Sequence, residues 1–219
     1  MFHHKFIHFI LVSWSMWMSV IVYAQTNCVL RKSEDSIFVY TCDATNSAFK
    51  AIKVEFKLNA TLSQYAATVL RADEYKLWHY KAINPHMVQR INQTEFYYYT
   101  QIRIPWPISN RDMIWRLKLS QDSISKVLTV TLRNSPDFLP KNNGIVRIPT
   151  GHSTLTVTPL SPDLVKVNYY IEIDPGGSVP AWLANMFIAQ APWQTFKNLK
   201  DRILSQGSRR VTTPLIKDY

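Results

Sequence analysis

Apolar and polar residues alternate over much of this 219-residue chain. Around residue 55, for example, Val54, Phe56 and Leu58 are apolar and the residues between them are charged. Successive side chains of a strand point to opposite faces, so this alternation predicts a strand with one face in the core. Comparable patterns predict strands over residues 37–42, 49–58, 79–91, 94–104, 113–119, 126–133, 146–159 and 164–174.

Helical spacing is confined to fewer stretches. Apolar residues spaced three or four apart predict a helix over residues 60–70, and shorter helices are expected over 26–32 and 73–78. A long helix is predicted over residues 179–204, after the turn-forming Pro175-Gly176-Gly177 unit. Many strands with short connections favour an antiparallel sheet. The sequence therefore predicts an α+β domain in which a curved antiparallel sheet wraps around the long C-terminal helix and encloses a volume.

The first 24 residues differ from the rest. A basic start is followed by an uncharged apolar run that ends at Ala24, which is typical of a cleaved secretory signal peptide. An uncleaved signal anchor is the alternative, because the run approaches the length of a bilayer span. We expect a secreted or periplasmic protein with a binding domain over residues 25–204 and a mobile tail over residues 205–219.

Charge and cysteine content narrow the choice of partners. The net charge of +10 suits an anionic lipid surface or nucleic acid. Export makes nucleic acid the weaker choice, and an ordinary solvated basic surface explains the charge equally well. In an oxidising compartment Cys28 and Cys42 can form a disulfide, although two buried thiols are the alternative. No metal-ligand spacing occurs, so no metal or cofactor is expected.

The strand alternation also predicts an inward face. It is apolar with scattered hydroxyls, which suits either a ligand cavity or an ordinary core. Asp112, Arg116 and Lys118 are predicted to point to solvent. The candidate cavity residues from this alternation are Tyr98, Thr100, Ile102, Met113, Trp115, Leu117, Tyr169 and Ile171.

Five separate motifs, in order over residues 26–204, resemble the START (steroidogenic acute regulatory protein-related lipid transfer) domain, most closely its secreted bacterial members. They are Pro105-Trp-Pro-Ile-Ser-Asn-Arg111-Asp112, Pro140 with Val146-Arg147, Asp174-Pro-Gly-Gly, Pro180-Ala-Trp-Leu-Ala-Asn185, and Pro192 to Thr195.

The resemblance implies a helix-grip fold with an internal tunnel for one lipid or sterol-like ligand. It implies that two loops flank the tunnel mouth, one with Trp106 and Ile108 and the other with Gly176 and Gly177. Trp106 is then either exposed towards a membrane surface or packed under its own loop. Arg111 and Asp112 are expected to be a structural pair that anchors the preceding loop.

Family spacing also suggests polar ligand contacts. Positions that are polar in the tunnels of some relatives match Thr100, Leu117, Thr131 and Tyr169. The arginine of steroid-type relatives falls on Leu117, so an internal ion pair is not expected there. Thr129 and, on the C-terminal helix, Met186 and Gln190 complete the candidate contacts.

The sequence therefore predicts a monomeric carrier that binds a lipid non-covalently. A cyclase- or hydrolase-like enzyme of the same superfamily is the alternative, but no catalytic motif is present. His79, His86 and His152 are expected at the surface. A third reading is an adaptor domain with a solid core.

Overall fold

The computed structural model describes residues 27–44, 47–179, 188–206 and 215–218. In this part of the chain ten strands form one curved sheet, followed by a C-terminal helix. The strands are β1 (Cys28–Glu34), β2 (Ile37–Cys42), β3 (Ala51–Leu58), β4 (Ala82–Arg90), β5 (Glu95–Ile102), β6 (Arg111–Gln121), β7 (Leu128–Asn134), β8 (Val146–Arg147), β9 (Thr150–Ser161) and β10 (Leu164–Asp174). The helices are α1 (Leu62–Val69), a 3-10 helix (Ala72–Leu77) and α2 (Gln190–Ser205).

Neighbouring strands run antiparallel along the order β1-β2-β3-β10-β9-β7-β6-β5-β4, and β8 pairs in parallel with β6. The pairing of β3 with β10 joins the first strands of the chain to its last strand. Helix α2 packs against β2, β3 and α1. This arrangement confirms the predicted α+β helix-grip fold, in which a curved sheet surrounds a C-terminal helix.

The sequence predicted a short helix over residues 26–32, but the structure has strand β1 in this segment. Asp35 and Ser36 both have positive φ values, 53° and 59°, which suits the two-residue turn of a tight hairpin between β1 and β2. Cys28 and Cys42 face each other across these strands and form a disulfide. The disulfide therefore joins two strands, whereas the sequence suggested that it would join a helix to a strand.

Helix α1 begins with a reciprocal cap. The Thr61 hydroxyl accepts a hydrogen bond from the Gln64 amide, and the Gln64 side chain accepts one from the Thr61 amide. Helix α2 buries Trp193, Phe196 and Leu199 on one stripe, and the Phe196 ring lies 5.5 Å from the Phe56 ring. The predicted beginning of this helix, residues 179–187, lies mostly outside the described residues, and so does the predicted signal peptide.

The chain returns to the body of the domain after α2. Ile216 is buried in the core, and the Lys217 backbone pairs with the side-chain amide of Gln121 at the end of β6. The Asp218 carboxylate accepts a hydrogen bond of 2.8 Å from the Ser63 amide in the first turn of α1. Residues 215–218 are therefore held by specific contacts, in contrast to the mobile end predicted from sequence.

Candidate functional site

The inward faces of β5, β6 and β10 lie together as the alternation predicted. Tyr98 pairs with Trp115 and Thr100 with Met113 in the register of β5 and β6. Antiparallel residues directly opposite each other share a face. The inward-facing residues Tyr98, Thr100, Met113, Trp115 and Leu117 are buried, and Ile102, Tyr169 and Ile171 are half-buried against the same core.

Gly151 makes room for the Trp115 indole on this face. A Cβ atom at position 151 would lie 2.9 Å from the Trp115 side chain and 3.3 Å from the Ile173 side chain. Real Cβ atoms do not approach other heavy atoms so closely, so a larger residue would displace the indole. The glycine thereby lets Trp115 reach across the concave face from β6 to β9 and β10.

Four candidate contacts lie on the outer face, are exposed, or fall outside the described residues. Thr129 pairs with Ser120, and Thr131 pairs with the exposed Lys118, so both threonines lie on the outer face of the sheet. On β7 the inward positions belong to leucine and valine. Gln190 is exposed in the first turn of α2, because the buried stripe begins at Trp193. Met186 lies outside the described residues.

Hydroxyl groups cluster inside the domain. Burial raises the pKa of the Tyr65, Tyr75, Tyr98 and Tyr169 phenols, and the nearby phenols of Tyr75 and Tyr169 raise those of Tyr65 and Tyr98 further. These side chains are therefore neutral at physiological pH and lie close to one another. The Tyr75 and Tyr98 rings are 5.0 Å apart in an edge-on contact, and the Tyr75 hydroxyl donates to the Val69 carbonyl.

Two buried hydroxyl oxygens in this region make no hydrogen bond, Tyr65 Oη on α1 and Thr100 Oγ1 on β5. Ser153 on β9 lies beside Tyr169, and a side-chain hydrogen bond between them opposes the rise in the Tyr169 pKa. Buried polar atoms nearly always have a partner. Sequence reasoning missed Tyr65 and Ser153, because Tyr65 is part of an apolar helical stripe and serine is common on solvated strands.

His79 is the histidine that differs from expectation. His86 and His152 are exposed, but His79 is packed next to Trp78, with 5.9 Å between the ring centroids. Burial lowers the pKa of the His79 imidazole to about 4, so the ring is neutral at physiological pH. Among the described residues no group of three or more histidine, cysteine or acidic side chains is arranged to hold a metal ion.

Two loops adjoin one end of the inward face. The Trp106 loop (residues 103–110) follows β5, and the Gly176 loop (residues 175–179) follows β10. The Trp106 side chain is 91% exposed and precedes a cis proline, whereas Ile108 is half-buried. Trp106 therefore does not pack under its own loop, and its contact with a membrane stays a prediction.

Arg111 ties these two loops together. Its guanidinium donates to the Ser109 carbonyl of the Trp106 loop, and to the Pro175 and Gly176 carbonyls at 3.3 and 3.2 Å. Gly176 and Gly177 have φ values of 65° and 69°, a conformation that favours glycine. Arg111 does not pair with Asp112, so it anchors the loops as expected but without the predicted partner.

Asp112 is fully buried on the outer side of the sheet, where the sequence placed it in solvent. Arg147 donates to both carboxylate oxygens, at 2.7 and 3.1 Å, and Tyr99 and Asn142 add further hydrogen bonds. Arg147 also donates to the carbonyls of Pro136, Leu139 and Pro140. The segment before β8 therefore folds over Asp112 and covers it.

The inward face is less completely filled beside the two loops. Ile102 at the end of β5, Ile171 and Ile173 near the end of β10, and Ile188 before α2 remain only half-buried. Residues farther from the loops on the same strands, such as Phe96 and Val167, have no accessible surface. Accessible apolar surface thus concentrates next to the Trp106 and Gly176 loops.

A curved sheet around a C-terminal helix, with an apolar inward face that carries hydroxyls, defines a protein of the helix-grip class. The family model described as START domain matches residues 4–206, and the chain belongs to the START domain family. No helix of the described residues has the length and apolar character needed to cross a bilayer.

Known proteins support this assignment. The crystal structure of a STAR-related lipid transfer protein from Xanthomonas axonopodis is similar, with a TM-score of 0.74 and 29% identity, covering 81% of this chain and 98% of that one. An uncharacterised Pseudomonas aeruginosa protein is 26% identical over 78% of this chain and 84% of its own. Human phosphatidylcholine transfer protein is 27% identical over 60% of this chain and 64% of that protein.

Proposed function

We propose that this protein binds a lipid non-covalently in an internal tunnel between the concave face of the sheet, α1 and α2, and carries it between membranes. The observation that carries the proposal is the inward face itself. Two buried hydroxyl oxygens at this face, on Tyr65 and Thr100, lack hydrogen-bond partners, and apolar side chains of the face stay accessible near the two loops. A solid core would satisfy the hydroxyls and cover these side chains.

Burial of apolar surface supplies the affinity in this proposal. Each methylene group transferred from water contributes roughly 0.8 kcal/mol, so an acyl chain or a sterol ring system can be held by area alone. The inward hydroxyls then set the orientation of the ligand. The proposal contains no catalytic step, and the named relatives with a described role are lipid-transfer proteins.

Entry and exit are proposed to occur between the Trp106 and Gly176 loops. Trp106 is suited to the membrane interface, because tryptophan has an apolar body and a polar N–H group. Arg103 and Lys81 are exposed beside it, and no carboxylate in the described residues pairs with either. This basic and aromatic surface suits an anionic bilayer. Lys197, by contrast, is paired with Asp201 at 3.0 Å.

The proposed setting is the bacterial periplasm or the extracellular space, with the protein acting as a monomer after removal of residues 1–24. The basis is the apolar N-terminal run and the disulfide between Cys28 and Cys42, which suits an oxidising compartment.

Native purification followed by organic extraction and mass spectrometry tests the proposed function. We expect about one lipid per protein molecule, absent from a heat-denatured and washed sample. A protein that carries no lipid, and that takes up none from vesicles of mixed composition, would be the solid-cored adaptor and would refute the proposal.

A further inference from the structure

We propose that the ligand group that reaches the inward hydroxyls is uncharged and bears a hydroxyl or carbonyl oxygen, as in a diacylglycerol, a fatty alcohol or a sterol. This inference rests on the proposed function. It narrows that function, because it excludes ligands that place a phosphate or a quaternary ammonium group in the interior.

The first argument is the location of the buried charges. Four charged residues in the described part of the chain are buried, and three of them, Glu95, Asp112 and Arg147, lie on the outer side of the sheet. Glu95 is bonded to Arg116 on the outer face, and Asp112 is bonded to Arg147 beneath the segment before β8. The fourth, Arg111, lies at the loop end of β6.

Arg111 is also committed to other partners. All three guanidinium nitrogens donate to backbone carbonyls of the Trp106 and Gly176 loops. Its two remaining N–H groups could donate to a phosphate, but that phosphate would lie at the loop end of β6, where the guanidinium is held.

The second argument is the chemistry of the unpaired groups. Tyr65 and Thr100 each carry a hydroxyl that can donate one hydrogen bond and accept others. A ligand hydroxyl or ester carbonyl can therefore bond to them in either direction. An anionic phosphate without a cation would remain uncompensated, and burial of an unpaired charge is strongly unfavourable.

A phospholipid could instead leave its head group at the loops and place only its acyl chains inside. In that arrangement the chains would lie against hydroxyls with no partner, and each unpaired buried hydroxyl is unfavourable. An uncharged oxygen-bearing group avoids both penalties. The two hydroxyls therefore select the head group rather than the chain length.

Two lipids with identical chains provide the test. Purified, delipidated full-length protein is incubated with vesicles that contain dioleoylglycerol and dioleoylphosphatidylcholine at equal mole fractions, and the lipids bound to the re-isolated protein are quantified by mass spectrometry. We expect dioleoylglycerol to be enriched at least about tenfold, since an uncompensated buried charge is worth more than that ratio. Equal uptake, or preference for dioleoylphosphatidylcholine, overturns the inference but leaves the proposed function intact. A parallel set of vesicles contains cholesterol and oleyl alcohol, and a protein that takes up none of these four lipids refutes the proposed function.

A matched pair of variants assigns any selectivity to the hydroxyls. Thr100→Val removes an inward hydroxyl at constant shape, and Thr131→Val makes the same change on the outer face of the sheet. We expect Thr100→Val to reduce the dioleoylglycerol enrichment about three- to tenfold, which corresponds to one lost hydrogen bond. Thr131→Val should leave the enrichment unchanged. Tyr65→Phe removes the other unpaired hydroxyl at nearly constant shape and provides a second site if Thr100→Val folds poorly. Undiminished enrichment in both inward variants would overturn the assignment to these hydroxyls.

Discussion

The Arg111 guanidinium lies 3.2 Å from the carbonyl oxygen of Gly176, a residue 65 positions later in the chain. The same guanidinium holds Ser109 of the other loop. One side chain at the beginning of β6 therefore controls how closely the two loops approach each other.

Arg111→Lys should loosen this contact. A lysine ammonium is a single donor centre and cannot reach three carbonyls that surround a planar guanidinium. We expect a loss of about 1–2 kcal/mol in the free energy of unfolding, from two lost hydrogen bonds, and faster lipid exchange. Urea unfolding and vesicle-to-vesicle transfer measure the two effects. Arg133→Lys is the control, because Arg133 is exposed with no charged partner. Unchanged exchange in a destabilised Arg111→Lys protein would limit Arg111 to a structural role.

Asp112→Asn should be among the more destabilising single changes on the outer face. It removes the carboxylate charge but leaves Arg147 buried, and breaking such a pair typically costs about 3–5 kcal/mol. Asp201→Asn is a matched control, because Asp201 is 60% exposed and its pair with Lys197 lies on the surface. We expect Asp201→Asn to lower the free energy of unfolding, measured by chemical denaturation, by less than about 1 kcal/mol. Similar effects of the two variants would mean that the Asp112 pair is far more solvated than its burial indicates.

The free energy of unfolding should also decrease at acidic pH, because the Asp112 carboxylate becomes protonated. Burial alone would raise the pKa of this carboxyl, but hydrogen bonds from Arg147, Asn142 and Tyr99 outweigh burial and lower it. The pKa of an aspartate in the unfolded chain is about 3.9. Because the pKa of Asp112 is lower in the folded protein, its contribution to the free energy of unfolding is fully present at pH values well above about 3.9. That contribution is lost as the pH falls through the folded-state pKa. Unfolding free energies measured from pH 7 to pH 2.5 should fall less steeply in Asp112→Asn. The pKa of Glu74 is also lowered, by Arg202 first of all, so a residual slope should persist in the variant.

Loss of the disulfide should release the first strand. The bridge closes a loop between residues separated by 14 positions, and the chain-entropy model gives about 3 kcal/mol for a loop of this size. We therefore expect Cys28→Ser/Cys42→Ser to lower the unfolding free energy by about that amount. Dithiothreitol should lower the Tm of the natural protein and leave that of the double variant unchanged. A Tm that does not respond to reductant in either protein would contradict the bridge.

Trp106→Ala should separate membrane contact from folding. The side chain is 91% exposed, so its loss should change stability by less than about 0.5 kcal/mol. The binding of Trp106→Ala to anionic vesicles, measured by co-sedimentation, should be about tenfold weaker than that of the natural protein. Trp115→Ala is the contrasting variant. Because Trp115 is buried, this substitution should lower the free energy of unfolding by about 3–5 kcal/mol. Vesicle binding that survives in Trp106→Ala would place the membrane contact elsewhere.

Alternation along the strands predicted the inward face well, because the period of two is imposed by strand geometry. It did not predict which outward residues become covered. Asp112 faces outward as its parity requires, yet the segment held by Arg147 folds over it. The parity of a residue gives its side of the sheet, and coverage depends on contacts made far away in the sequence.

Other errors have separate physical causes. Family spacing predicted Thr131 as a contact, and Thr129 was a further polar candidate, although the alternation of leucine and valine on β7 places both outside. The segment at Cys28 has no strong period of its own and becomes a strand because it pairs with β2. Tyr65 could be recognised only because the structure leaves its hydroxyl without a partner.

The hydrogen bond between the Ser63 amide and the Asp218 carboxylate spans 155 positions in the chain. A ribosome that adds 5–20 residues per second needs on the order of 10 s to cover that distance. Throughout that interval the first turn of α1 lacks this cap, even though the Thr61 and Gln64 cap can already form. The beginning of an early helix is therefore completed by a residue that is made long after the helix itself.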